Sequence, residues 1–171
     1  IMNEIDEFNV IAICDIDKKA RQTAKHKIGC RIYSDYHKMI ADEDVNLVSI
    51  ITESWQHAQM ACDCMLAGKN VLVTKPMATN VRDAHRMIAV SEMTGKKLLA
   101  WLPARWGSDV VRLKEIIDSG DIGTVYEIER NNYTFGIRND WQTQTEKGGG
   151  YLLNWGPHLI DQPLVLTGGE V

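Results

Sequence analysis

Four short and almost wholly apolar runs recur along this chain. They are Val10-Ile11-Ala12-Ile13-Cys14, Val45-Asn46-Leu47-Val48-Ser49-Ile50-Ile51, Asn70-Val71-Leu72-Val73 and Lys97-Leu98-Leu99-Ala100-Trp101. Each reads as a buried strand rather than one with a wet face. Stretches of helical character lie between them. Lys18 to Lys27 is closed by Gly29, and Asp35 starts a second helix in which Tyr36, Met39 and Ile40 are spaced for one face. Trp55 to Ala67 ends at Gly68, and Thr79 is read as the N-cap of a helix through Thr94 that stops at Gly95. Ser108 is read as the cap of another, through Asp118 and stopped near Gly120. Apolar strands alternating with helices over short links predict an α/β fold, a doubly wound parallel sheet covered on both faces. Its crossovers are expected to be right-handed.

The pattern changes after Gly123. Thr124 to Phe135 reads as one long strand with partial alternation, carrying Val125, Ile128 and Tyr133 among polar residues. A polar loop over 136–147 follows, and Gly148-Gly149-Gly150 opens an apolar helix. This predicts the start of a second, α+β domain with an antiparallel sheet, dividing the chain into 1–122 and 123–171. Both ends, Ile1 and the Gly168-Gly169-Glu170-Val171 terminus, read as cut from a longer polypeptide.

Charge and cysteine usage narrow the function classes. Nineteen Lys and Arg against 23 Asp and Glu leave a net charge of −4, whereas nucleic-acid binders carry a basic surplus. No apolar run approaches the roughly 20 residues that span a bilayer. The acidic opening Ile1-Met2-Asn3-Glu4-Ile5-Asp6 lacks the basic start of a secretory signal, so a cytoplasmic protein is expected. Cys14, Cys30, Cys62 and Cys64 show no C-x-x-C spacing and read as small hydrophobes in a reducing compartment, with no metal site expected.

Open parallel sheets bind ligands beyond the carboxyl ends of their strands. The residues there are Asp15, Thr52-Glu53-Ser54, Thr74-Lys75-Pro76 and Leu102-Pro103-Ala104-Arg105. An acid at Asp15 can accept both hydroxyls of an adenine ribose and repel a 2′-phosphate; it can equally serve as a turn or helix cap. No G-x-G-x-x-G loop precedes it. Lys75 is held extended by the following Pro76, which aims a cation at a strand mouth where it could stabilise a developing alkoxide, or simply meet solvent. Asn154, His158 and Asp161 are spaced to share one helical face, and a histidine suits proton abstraction from an alcohol. Pro157 leaves open whether that helix is continuous. His57 could touch a cofactor or face solvent, while His26, His37 and His85 read as surface residues.

Taken together, Val-Ile-Ala-Ile-Cys-Asp15, the Ala67-Gly68-Lys69-Asn70-Val71-Leu72-Val73-Thr74-Lys75-Pro76-Met77-Ala78 segment, and the triple glycine followed by Asn154, His158 and Asp161 resemble the Gfo/Idh/MocA oxidoreductases. The likeness runs from Val10 to the last residue. It implies an N-terminal NAD(P)-binding Rossmann domain whose first strand and phosphate loop are absent from this sequence, then part of a C-terminal domain that commonly builds a homo-oligomer. It implies NAD as cofactor, with NADP less favoured, and a sugar, sugar derivative or cyclitol as substrate. By residue-wise carry-over, Asp15, Thr52, Ser54, His57, Thr74, Lys75, Pro76, Arg105 and Trp106 would bind the cofactor. Lys75 would be the active-site lysine and His158 the base, with Asn154 beside it as a third catalytic residue.

Three positions depart from the family pattern. Thr74 stands for a glutamate, Glu53 for a common proline, and Asn154 for an aspartate of many polyol-oxidising members. Asparagine orients a hydroxyl but cannot share a proton. The resemblance also leaves open an NAD-dependent glycosidase and a non-catalytic dinucleotide-binding regulator on the same fold.

Overall fold

The computed structural model describes residues 5–169. The acidic opening read from Ile1 to Glu4 and the Glu170-Val171 end lie outside the described residues. Five parallel strands and six helices make up the order β1 (Ala12–Cys14), α1 (Lys18–Ile28), β2 (Arg31–Tyr33), α2 (Tyr36–Ile40), β3 (Leu47–Ile50), α3 (His57–Leu66), β4 (Asn70–Thr74), α4 (Val81–Thr94), β5 (Leu98–Trp101), α5 (Ser108–Ser119) and α6 (Tyr151–Thr167). The strands form two ladders, β1-β2 and β3-β4-β5.

Register explains the core. Val48 lies opposite Val71 and Ile50 opposite Val73, and these four residues are buried as one row. Helices α3 and α4 cover that row with Ala58, Ala61, Cys62, Met65 and Met87. The small residues of α3 let its axis approach the sheet closely, and Met65 and Met87 fill the remaining space at 0% exposure. Residues facing the other way, Leu47, Ser49 and Leu72, are only half-buried, so burial is less even than continuous apolar runs suggest. Cys30, Cys62 and Cys64 are buried free thiols, and burial pushes Cys64 up to about 12.

Four local expectations need correction. The strand β2 is missed by periodicity, because its single apolar residue, Ile32, sits between an arginine and a tyrosine. The cap of α4 is Asn80, which accepts from the Asp83 amide at 2.9 Å, and not Thr79. Gly107 precedes α5 without a side-chain cap, and Ser108 is its first helical residue. Residues 124–135 carry no regular secondary structure and pair with no strand among the described residues. Alternating side chains alone do not make a strand, since the backbone groups need a ladder partner. Tyr133 and Phe135 there stand exposed.

No helix among the described residues is long and apolar enough to cross a membrane.

Candidate active site

The segment after the triple glycine is seated directly on the strand mouths of the first domain. Gly148 has φ +72°, and a Cβ there would run into Thr79 and approach Ser54 at 3.2 Å. A Cβ on Gly149 would meet the carbonyls of Gln142 and Gln144 at 2.6 Å. Glycine at these two positions therefore serves close backbone approach. Beside them Lys147 reaches Glu53 at 3.4 Å, and Glu53 also accepts from the Trp55 indole at 2.8 Å. The Trp55 hydrogen bond, helped by Lys147, lowers the Glu53 carboxyl below its usual range. Glu53 thus ties the loop after β3 to the entry of α6, a role its replacement of proline did not reveal.

Helix α6 passes through Pro157 without stopping and carries Asn154 and His158 to the end of β4. The Lys75 ammonium donates to the Asn154 backbone carbonyl at 2.6 Å and to Asn154 Oδ1 at 2.7 Å. An ammonium has three N–H groups, so one is left for a ligand. Burial, and secondarily the charge of Arg138, lowers the Lys75 pKa. His158 Nδ1 is buried without a hydrogen-bond partner among the described residues. Burial first, then the positive charge of Lys75, lowers the His158 pKa, with Asp161 opposing. The ring is thereby kept neutral and able to accept a proton. Trp155 stands edge-on to it, with ring centroids 6.0 Å apart.

Asp161 is on the same helix as His158 but is engaged elsewhere. It takes a bidentate grip from Arg105, whose Nε lies 3.0 Å from Oδ2. The next residue, Gln162, donates to the Ala104 carbonyl at 3.0 Å and accepts from Arg130 at 2.8 Å. These bonds pin α6 to the Pro103–Trp106 turn. Arg105 and Asp161 are 56 residues apart, so no spacing rule could pair them. Trp106 is 73% exposed on the same turn.

The remaining predicted contacts divide by exposure. Asp15 lies exposed at the end of β1, with Oδ1 accepting from the Asp17 amide at 2.7 Å. Thr52 and Thr74 are half-buried at the ends of β3 and β4. Ser54 and Pro76 are buried, and His57 is 0% exposed. His57 departs from the expectation of direct ligand contact: Nδ1 lies 2.8 Å from the Pro76 carbonyl and Nε2 3.1 Å from the Thr52 carbonyl. The Lys75–Pro76 peptide bond is cis.

Residues 1–100 match the family model described as the GFO/IDH/MocA oxidoreductase family, NAD-binding Rossmann fold. The chain belongs to the Gfo/Idh/MocA oxidoreductase family. Residues 110–171 match the GFO/IDH/MocA C-terminal domain. Among curated members, inositol 2-dehydrogenase of Salmonella typhimurium is 32% identical over 84% of this chain and 44% of its own length. A 1-carboxy-3-chloro-3,4-dihydroxycyclohexa-1,5-diene dehydrogenase of Comamonas testosteroni is 33% identical over 95% of this chain and 42% of its own. An NAD-binding protein from Listeria innocua superposes with a TM-score of 0.89 at 32% identity, covering 95% of this chain and 48% of that one. The chain spans less than half the length of these Gfo/Idh/MocA proteins.

Proposed function

We propose that the protein is an NAD-dependent dehydrogenase that oxidises a CH–OH carbon of a sugar, sugar derivative or cyclitol, or reduces the matching ketone. The observation that carries this reading is the meeting of Lys75 with Asn154 on the helix that bears His158. A cation with one free N–H and a ring held neutral by burial suit the two ends of an alcohol oxidation. His158 takes the hydroxyl proton. Lys75 donates its third N–H to the same oxygen and stabilises the charge that develops as the proton leaves. Asn154 holds the ammonium in place through two acceptors, which explains why an asparagine serves here.

The donor set at the strand mouths fits a dinucleotide. The exposed carboxylate of Asp15 suits a ribose diol and disfavours a 2′-phosphate. Thr52, Thr74, Arg105 and Trp106 border the path from there to Lys75 and would line the rest of the site. Bound NAD would supply the hydride acceptor. The likeness to an inositol dehydrogenase and to a dihydroxycyclohexadiene dehydrogenase favours a hydroxylated ring as substrate. The reading also takes 1–122 as the nucleotide domain and the rest as the start of the substrate domain.

The test is a fluorescence titration of the natural full-length polypeptide with NADH and NADPH, followed by a screen of cyclitols and sugars for NADH formation. Saturable binding that prefers NADH, with turnover of one such alcohol, is expected. Preference for NADPH overturns the role of Asp15. Release of free sugar without net NADH identifies a glycosidase instead, and binding that is indifferent to Lys75 and His158 substitution identifies a regulator.

A further inference from the structure

We infer that His57 is a positioning residue, whose ring clamps the loop after β3 to the turn after β4 and so sets where the Lys75 ammonium stands. The inference rests on the role of Lys75 proposed above. His57 is the first residue of α3 and is 0% exposed. That start places its ring between the loop after β3 and the turn after β4. The Pro76 carbonyl, one residue beyond Lys75, lies outside the β4 ladder and meets Nδ1 at 2.8 Å. The Thr52 carbonyl, beyond the end of β3, meets Nε2 at 3.1 Å.

A buried carbonyl needs a donor, and Pro76 is a buried residue. A neutral imidazole has a single N–H and donates to one carbonyl at a time. With that proton on Nδ1, at the shorter of the two contacts, the Pro76 carbonyl has its donor. The consequence runs through one residue. Lys75 bonds Asn154 at 2.6 and 2.7 Å, distances that a turned Pro76 would not preserve. His57 thus touches no ligand, yet it determines the direction of the side chain that does. The loop after β3 leads straight into His57, so the bond from this ring to Pro76 couples the two loops that flank the site.

The replacements His57→Asn, His57→Gln and His57→Leu separate this role from simple core filling. The Asn amide places an N–H where Nδ1 stands, the Gln amide where Nε2 stands, and Leu offers neither. The measurement is the rate of reductive methylation at each lysine of the full-length polypeptide, resolved by mass spectrometry. Lys69, which is 7% exposed and bonded to the Asp42 carbonyl, serves as the internal reference. Lys75 methylation is expected to rise about tenfold in the Gln and Leu variants, to stay near wild type in the Asn variant, and to leave Lys69 unmoved. With a substrate in hand, kcat is expected to fall by about 10²-fold in the Gln and Leu variants while KM changes little.

Unchanged Lys75 labelling in folded Gln and Leu variants overturns the inference. So does a rise shared equally by Lys69, which marks general loosening. Where the Leu variant does not fold, the Asn and Gln pair decides, because equal labelling in both overturns it. A wild-type protein that oxidises no alcohol defeats the dehydrogenase reading but leaves the labelling result standing.

Discussion

At the end of β1, the Asp15 amide donates to the Tyr33 carbonyl, but its carboxylate is met only by the Asp17 amide, two residues on, and its carbonyl by the Arg21 guanidinium, six residues on. At the end of β4, Lys75 is held by an asparagine 79 residues further along, and its turn by a histidine 19 residues back. Asp15 is exposed and Lys75 half-buried. A group that binds one end of a cofactor can sit on a local turn, because a misplacement there costs affinity alone. A group that meets the reacting oxygen needs long-range support, because a small displacement removes its catalytic effect. The fold assigns each corner the construction its task demands.

That contrast is broken or sharpened by substitution at either corner. Lys75→Ala is expected to lower kcat by about 10³-fold while NADH affinity stays within about threefold. Equal losses in steady-state rate and in fluorescence titration would make Lys75 a binding group and erase the distinction. His158→Asn is expected to lower turnover by about 10²-fold. The pH profile belongs to the same prediction. Because burial and Lys75 lower the His158 pKa, the wild-type rate should fall on acidification only below the pH at which an ordinary histidine takes up its proton. Removing the Lys75 charge should move the His158 titration upward, as read from its ring proton resonance by NMR. A titration that moves downward contradicts the electrostatic coupling.

At the other corner, Asp15→Asn is expected to weaken NADH binding by about tenfold, with kcat unchanged and the preference over NADPH reduced. A loss of kcat without loss of affinity would mean that Asp15 acts on the chemistry after all. The smallest effect is expected at the pin between the two. Asp161→Asn leaves the Arg105 fork with a neutral partner and should cost about 1 kcal/mol, a fall of about 2–4 °C in Tm by thermal denaturation. A drop in kcat at constant Tm would instead place Asp161 in the proton path beside His158.

Much of this arrangement is legible one residue at a time. The apolar runs and the glycine stops predict the sheet and the helices because period and caps act over a few residues. β2 escapes because three residues with one apolar member have no period. The predicted strand at 124–135 fails for the opposite reason, since its alternation is present but the ladder that would make it a strand is not. In the site, Asp15, Lys75, Asn154 and His158 are each recognisable from type and place in the chain. Their associations are less so. Helical spacing puts Asp161 on one face with His158, but its partner is Arg105, which no spacing could indicate.

The linear order of residues suffices for which apolar runs become parallel strands and which polar side chains stand at their mouths. Those features follow from side-chain volume, polarity and backbone preference over a few positions. The two acceptors that hold Lys75, the carbonyl at each nitrogen of His57 and the ion pair across 56 residues had to await the packed molecule. Hydrogen bonds act over about 3 Å, and only the burial of Val48, Val71, Met65 and Met87 draws such distant parts of the chain that close.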